Sequence, residues 1–332
     1  MKTFFKKVFS IFLRFGTSIL LLIFLFKQVD EKAMLGIIKN VDIPLLLLAF
    51  TAFSFIYLLC FLRWWLLLKA IKIGLPLKRI IISFCGGIFF NLFLPSTIGG
   101  DMVRSIDLGV HTKRPREVVT TVLLDRLSGY VGLVIVAIVA LILGWKFVQD
   151  DRYVLFSIFA LVTVVIAILL VLFNKTLYSK INKFLDAPSA GKIREAIKNL
   201  HHEIYLFKKH KQILIGSLAL SSLVQIVCPL SFYFIALSLG VKIELLYFFI
   251  FIPVIGAITM LPISIGGLGL RDASIIFFFA KAGVCKNPAF AMSLLSFLFI
   301  LIFGALGGLI YVFTIRHRRI QHHQPPAIPP QA

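Results

Sequence analysis

The chain has 332 residues, of which 60% are hydrophobic and only 15% charged, with 34 Phe and a mean hydropathy of +1.00. So little polar surface excludes a soluble globular domain, and several apolar runs approach the roughly 20 residues that cross a bilayer. The formal charge of +21 falls mainly in connections between those runs, a topological signature that leaves no basic soluble module to bind nucleic acid.

In chain order, the residues predict an all-α polytopic membrane protein with apolar segments near 8–26, 44–68, 80–98, 118–144, 153–173, 213–239, 245–262 and 289–313. The first follows a basic start resembling a signal peptide. Because KQVDEKA stands where a small-residue cleavage site belongs, an uncleaved transmembrane helix is expected. The second ends in FLRWWLLLK, where Arg63 with Trp64 and Trp65 reads chiefly as an aromatic-belt anchor and secondarily as a residue facing a headgroup. The third runs into LPSTIGGDMVRS, residues 94–105, bearing Asp101 and Arg104. The fourth contains LLDRLSG; its adjacent Asp125 and Arg126 lie about 100° apart on a helix, so they are expected to take separate partners.

Residues 174–212 read as a cytoplasmic linker. Within it Ile193, Ile197, Leu200, Ile204 and Phe207 recur at helical spacing, predicting an amphipathic helix on the leaflet. The adjacent His201 and His202 point apart and suggest no metal site. The seventh segment ends in LPISIGGLGLRD, residues 261–272, bearing Arg271 and Asp272. The eighth contains GALGG, Gly304–Gly308, a spacing for close helix packing and a weak signal for a homodimer. The tail 316–332, basic and then Pro-rich, is expected to be disordered in the cytoplasm. Cys60, Cys85, Cys228 and Cys285 fall singly, so neither a zinc site nor a disulfide framework is indicated. No Walker loop, HExxH or GxSxG occurs, and no catalytic residue, metal or cofactor is expected.

LPSTIGGDMVRS and LPISIGGLGLRD share a Pro-x-x-Ile-Gly-Gly-x-x-x-Arg frame 167 positions apart. The same shift overlays 44–68 on 211–235 and 118–144 on 285–311. One membrane domain, 1–315, is therefore expected to hold an internal repeat, 44–144 and 211–313. Charge then sets orientation. Residues 63–79 carry five cations and no acid, which puts them and the N-terminus inside. If 80–98 crossed fully, the 174–212 connection, with nine Lys and Arg against three acids, would lie outside. If 80–98 dips in and returns, the conflict disappears, and the same reasoning makes 245–280 dip from the outside. The ordinary alternative is an interfacial turn at each motif. The expectation is about six full transmembrane helices plus two re-entrant hairpins, an inverted repeat, and both termini in the cytoplasm. Pro95, Gly99, Gly100, Pro262, Gly266 and Gly267 would form the hairpin bends. Broken helices in inverted repeats are a recurring plan of secondary transporters.

Arg104 and Arg271 occupy equivalent places in the two copies. An Arg near the bilayer centre costs at least about 2.5–3.5 kcal/mol, so it requires a partner or a wet cavity. Its planar fork fits a phosphodiester, and Gly-Gly N–H groups could add donors. The structural alternative is pairing of each Arg with Asp101, Asp107 or Asp272. The candidate headgroup-binding set is thus Arg63, Asp101, Arg104, Asp125, Arg126, Arg271 and Asp272.

With LRWW at 62–65, PSTIGGDMVR at 95–104, LLDRLSG at 123–129 and LPISIGGLGLRDA at 261–273, the chain resembles the flippase-like membrane domain of the lysylphosphatidylglycerol synthase family, in stand-alone form, over about 8–313. The resemblance implies a multi-pass protein of the bacterial inner membrane that handles anionic or aminoacylated phospholipids. The membrane phospholipids would be its partners, with a separate synthase or glycosyltransferase subunit as a further one. In the full-length synthases a C-terminal cytoplasmic domain transfers lysine from charged tRNA to phosphatidylglycerol. Here the sequence ends in HHQPPAIPPQA, so that activity is not expected of this chain. Asp272 is a departure, the family commonly having Glu there. Lipid translocation is the leading expectation. The alternatives are a membrane component of a phosphatidylglycerol lysyltransferase or of a polyprenyl-phosphate glycosylation system, and a structural scaffold.

Overall fold

A computed structural model of the chain describes residues 39–94, 98–112, 114–173, 211–260 and 266–322, together with positions 16, 23, 36, 37 and 264. The expected first span at 8–26, the amphipathic helix at 192–209, Pro95 and Pro262 lie outside the described residues, as does most of the tail. All regular structure among the described residues is helical: α1 Ile43–Ala70, α2 Leu77–Asn91, α3 Ile98–Thr112, α4 Pro115–Leu143, α5 Arg152–Phe173, α6 Lys211–Ser238, α7 Leu245–Thr259, α8 Leu270–Lys281 and α9 Lys286–His322. A single helical turn, Trp145–Val148, joins α4 to α5.

Local chemistry sets several of these boundaries. Asp42 caps α1, its carboxylate accepting from the Leu45 N–H at 3.2 Å, and Pro44 sits in the first turn where its missing donor does no harm. Pro115 opens α4 in the same way. Asp151 caps α5, accepting from the N–H groups of Tyr153 at 3.0 Å and Val154 at 3.2 Å. Four helices, α1, α4, α6 and α9 as far as Thr314, are long and apolar enough to cross a membrane. Arg152–Ala167 of α5 and all of α7 are apolar but shorter.

Contacts along the helices fix their directions. Asp42 N–H donates to the Ser238 carbonyl at 2.9 Å, Ser231 Oγ donates to the Ala49 carbonyl at 3.0 Å, and Leu67 and Ala70 pack near Ile213 and Leu214. α1 and α6 are therefore antiparallel along their lengths. Trp64 meets Thr121 near one end, while Ala49 and Ala140 share a core near the other, so α4 also runs against α1. Phe50 packs on Phe299, and Tyr57 on Phe303, so α9 runs with α1. The bundle thus has two ends. Ile71 and Arg114 meet at the first, where the Arg114 guanidinium reaches the Ile71 carbonyl at 3.5 Å. At the second, Lys281 Nζ lies 3.0 Å from Asp151, and the rings of Phe147 and Tyr247 pack at a tilt near the start of α7.

Two helix pairs fill the space between. α2 leaves the first end and α3 returns to it; α7 leaves the second and α8 returns. Each short pair packs on the last long helix of the opposite half, α2 on α9 and α7 on α4. Small residues permit the first of these contacts. A Cβ on Gly304 would lie 2.3 Å from Leu92, one on Gly307 would lie 2.8 Å from the Cys85 carbonyl, and one on Gly308 would lie 2.4 Å from Phe89. The GALGG stretch is therefore the bed of α2 within the same chain. Where the two loops approach, Gly266 is held at φ 57° beside the Asn91 and Leu92 carbonyls, a conformation that favours glycine.

Candidate functional site

Charge that the apolar segments carry inward converges between α1, α3 and α4. Arg63 Nε donates to Asp125 Oδ1 at 2.6 Å, and Arg104 Nη2 donates to Asp125 Oδ2 at 2.8 Å. Arg104 Nη2 also lies 2.9 Å from Asp101 Oδ1, and Arg126 Nε lies 2.5 Å from Asp101 Oδ2. The five side chains form an alternating ladder, Arg63–Asp125–Arg104–Asp101–Arg126, in which each carboxylate is shared by two guanidinium groups. Asp125 is 3% exposed and Arg104 5% exposed. Ions so far from water are tolerated only when paired and hydrogen-bonded.

The local sequence explains how they meet. Asp101 and Arg104, three positions apart, share one face of α3. Asp125 and Arg126, being adjacent, diverge: the first faces Arg63 and Arg104, the second Asp101. Arg63 Nη1 continues to Ser221 Oγ of α6 at 3.1 Å, and Ser128 accepts from Ser217 Oγ at 3.0 Å. Gly129 leaves the room for this guanidinium, since a Cβ there would stand 3.2 Å from Arg63 Nη1. Beneath Arg104 lies the Trp64 ring, 4.8 Å from the guanidinium carbon, with the indole N–H donating to Thr121 Oγ1 at 3.2 Å.

This corrects the belt-anchor expectation for Arg63 and Trp64. Trp64 is fully buried among Leu68, Ile80, Leu108 and Val122, and Arg63 joins the ladder. Trp65 keeps an interfacial character, with Lys69 Nζ 3.6 Å above its ring.

Arg271, the counterpart of Arg104 in the sequence frame, makes its contacts elsewhere. Its Nη2 lies 3.0 Å from Asp272 Oδ1, its Nε donates to Ser293 Oγ at 3.2 Å, and Ser293 Oγ in turn hydrogen-bonds Asp272 Oδ1. Asp272 Oδ2 accepts from the Gly269 N–H at 2.8 Å and so starts α8. The glycines also differ between the copies. Gly99 and Gly100 lie in the first turn of α3, where Gly100 N–H donates to Asn91 Oδ1 at 2.9 Å. A Cβ on Gly100 would meet the Gly87 carbonyl at 2.0 Å, so that glycine permits α2 and α3 to touch. Gly266, Gly267 and Gly269 instead form a turn with φ of 57°, 77° and 77°.

A third charged group was not among the sequence candidates. Arg79, 4% exposed near the start of α2, pairs with Asp107 and lies 3.1 Å from His111 Nδ1. Its signal was present as a polar stripe at four-residue spacing, Arg79, Ser83, Gly87 and Asn91, all of which touch α3.

The ladder holds three arginines and two aspartates, a formal sum of +1. Arg104 Nε is buried and has no acceptor among the described residues. Such an arrangement has the donors to accept an anion. A phosphate oxygen can replace or join a carboxylate on a guanidinium fork without leaving its donors unmade.

The sequence profile for the lysylphosphatidylglycerol synthase TM region matches residues 11–308. The chain is 27% identical over 273 residues to a UPF0104 membrane protein of Methanothermobacter thermautotrophicus, covering 75% of this chain and 79% of that protein. It is 23% identical over 304 residues to a UPF0104 membrane protein of Pyrococcus horikoshii, covering 84% and 89% respectively. No solved structure gives a significant match.

Proposed function

Because the chain belongs to the lysylphosphatidylglycerol synthase TM region family, we propose that it is a lipid translocase that binds the phosphate of an anionic or aminoacylated phospholipid at the Arg63–Arg104–Arg126 ladder and carries it across the cytoplasmic membrane. The observation that carries this reading is the crowding of three guanidinium groups around two carboxylates, with Arg63, Asp101, Arg104 and Asp125 buried, together with Arg104 Nε, which finds no acceptor among the described residues. A buried guanidinium N–H without an acceptor is costly, and an anion that enters the ladder satisfies it.

In this reading α2–α3 and α7–α8 are re-entrant hairpins of an inverted repeat, inserted from opposite faces. The 15 residues of α2 and of α7 rise about 22 Å at 1.5 Å per residue, short of the roughly 30 Å of a hydrocarbon core. The antiparallel course of α1 and α6 is what a two-fold axis in the membrane plane requires. The first end of the bundle, with Lys69, Lys72, Lys78, Arg114 and Arg116, is cytoplasmic by the positive-inside bias. Arg271 with Asp272 and Ser293 is the corresponding station of the second half. It is neutral as a pair, so it would release an anion more readily than the ladder.

The test is transbilayer movement of a fluorescent phosphatidylglycerol in proteoliposomes, read as the fraction bleached by an impermeant reductant. The wild type is expected to move it. Arg104→Gln is expected to lower the rate at least tenfold, the scale of a charge-assisted contact, while monodispersity is retained. Equal rates in wild type, variant and protein-free vesicles would sink the translocase reading.

A further inference from the structure

A cavity of about 280 Å³ opens at the first end of the bundle, between the α1–α2 connection and the α3–α4 connection. Lys72, His111, Thr112 and Arg114 line it, with Ile73 and Leu75 on its apolar side. No carboxylate is among its lining residues. Glu117 lies 3.5 Å from Arg114 Nη1, and Asp107 pairs with Arg79 beside His111. Its volume falls near the lower end of the ~300–1,000 Å³ range typical of small-molecule sites, the scale of a lipid headgroup rather than a whole lipid.

Two features show that this cationic lining is built in. Lys72 has φ 50°, the sole non-glycine residue with positive φ among the described residues. It stands just past the C-cap of α1, Ile71, where helices ordinarily place Gly. A side chain there costs about 1–2 kcal/mol of backbone strain, and the residue that bears it is a cation lining the cavity. The second is α4, whose N-cap, Arg114, makes no side-chain capping bond, so the positive end of a 29-residue helix also faces this region.

The cavity also connects inward. His111 Nδ1 lies 3.1 Å from Arg79 Nη2, and Arg79 and Asp107 each keep a buried polar atom, Nε and Oδ2, without a partner among the described residues. Ser83, one turn further along α2, donates to the Arg104 carbonyl at 3.1 Å. A polar seam therefore runs from the cavity along α2 and α3 to the ladder. Trp65, about two turns before Lys72, carries Lys69 Nζ 3.6 Å above its ring, an aromatic and cation pairing suited to a membrane interface.

We infer that this cavity is a phosphate-binding station for the headgroup of an anionic lipid in the adjoining leaflet, distinct from the ladder and placed before it. The station as a binding site stands on its own residues; only its place in a sequence of transfer rests on the translocase reading.

The experiment places the full chain in nanodiscs of phosphatidylcholine with phosphatidylglycerol as the minor lipid. Lipid retained on the released protein is measured by native mass spectrometry. Lys72→Gln combined with Arg114→Gln is expected to remove about one retained phosphatidylglycerol per protein, the one held by these two interfacial cations, leaving lipid at the ladder and retained phosphatidylcholine unchanged. The charge-conserving pair Lys72→Arg and Arg114→Lys is expected to keep that phosphatidylglycerol, which separates a loss of charge from a loss of fold. Retention equal to wild type in the neutral pair, or loss in both pairs alike, overturns the inference. Inorganic phosphate titrated against the wild-type complex distinguishes sources of the ligand. Insensitivity supports the lipid headgroup, and full displacement at millimolar phosphate overturns that assignment in favour of a soluble phosphate. Retention dependent on Lys72 and Arg114 alongside absent transbilayer movement would sink the translocase reading and leave the station standing.

Discussion

Asp125 shares one oxygen with Arg63 and the other with Arg104, so its loss unmakes two contacts of the ladder at once. Asp125→Asn is expected to destabilise the protein by about 3–5 kcal/mol, the usual consequence of removing one partner from a buried ionic set. A fall in the thermal unfolding midpoint in detergent checks this, and an unchanged midpoint would mean that the ladder is hydrated and loose. Asp125 and Arg126 were legible in the sequence because a charge within an apolar run has few other uses, and Asp101 and Arg104 because they follow the first Gly-Gly pair of the repeated frame. Arg79 was not, because at a segment edge a cation reads equally well as a topological charge. Trp64 misled for a related reason. A Trp near the end of an apolar run looks the same whether it faces headgroups or, as here, carries an arginine on its ring.

Among the elements, α2 depends on how closely α9 admits it. Gly307→Val is expected to cost about 1–3 kcal/mol, because the added Cβ would meet the Cys85 carbonyl at 2.8 Å and backbone cannot turn aside. Equal stability to wild type, by the same unfolding measurement, would mean that the α2–α9 crossing is looser than described. α5 is held differently, at its cap. Burial opposes ionisation of Asp151, but the Lys281 ammonium and the Val154 and Tyr153 N–H groups outweigh it and hold its carboxyl below the ordinary aspartate value. A depressed aspartate contributes stability that is present above the unfolded value and lost as pH falls through the folded one. Asp151→Ala is therefore expected to lower stability by about 1 kcal/mol at neutral pH, and the gap to wild type should close as the solution is acidified below pH 4. A gap that persists in acid would assign the effect to packing. The helix succession was largely legible from segment length and the repeated motif. The different use of the two Gly-Gly pairs was not, because the shared letters do not reveal that α3 begins at Ile98, ahead of its glycines, whereas Gly269 and Asp272 delay α8 until Leu270.

For the whole molecule, orientation follows from which residues gather at each end. Cys285 is exposed between α8 and α9 at the second end, whereas Cys60, Cys85 and Cys228 are at least partly buried along the helices. In intact cells an impermeant maleimide is expected to label Cys285 from outside, and Gly74→Cys, at the first end, only after the membrane is opened. Labelling in the reverse order would invert the topology. The exchange of partners between halves has a temporal consequence as well. α2 is complete at residue 91, yet the helix it rests on begins at residue 286. At about 5–20 residues per second of synthesis, the interval is on the order of 10–40 s, during which a short, polar-striped helix has its neighbours α1 and α3 but not its floor. The nascent chain must shelter it meanwhile, so truncation within α9 should expose the first half to quality-control proteolysis more than its own sequence would suggest.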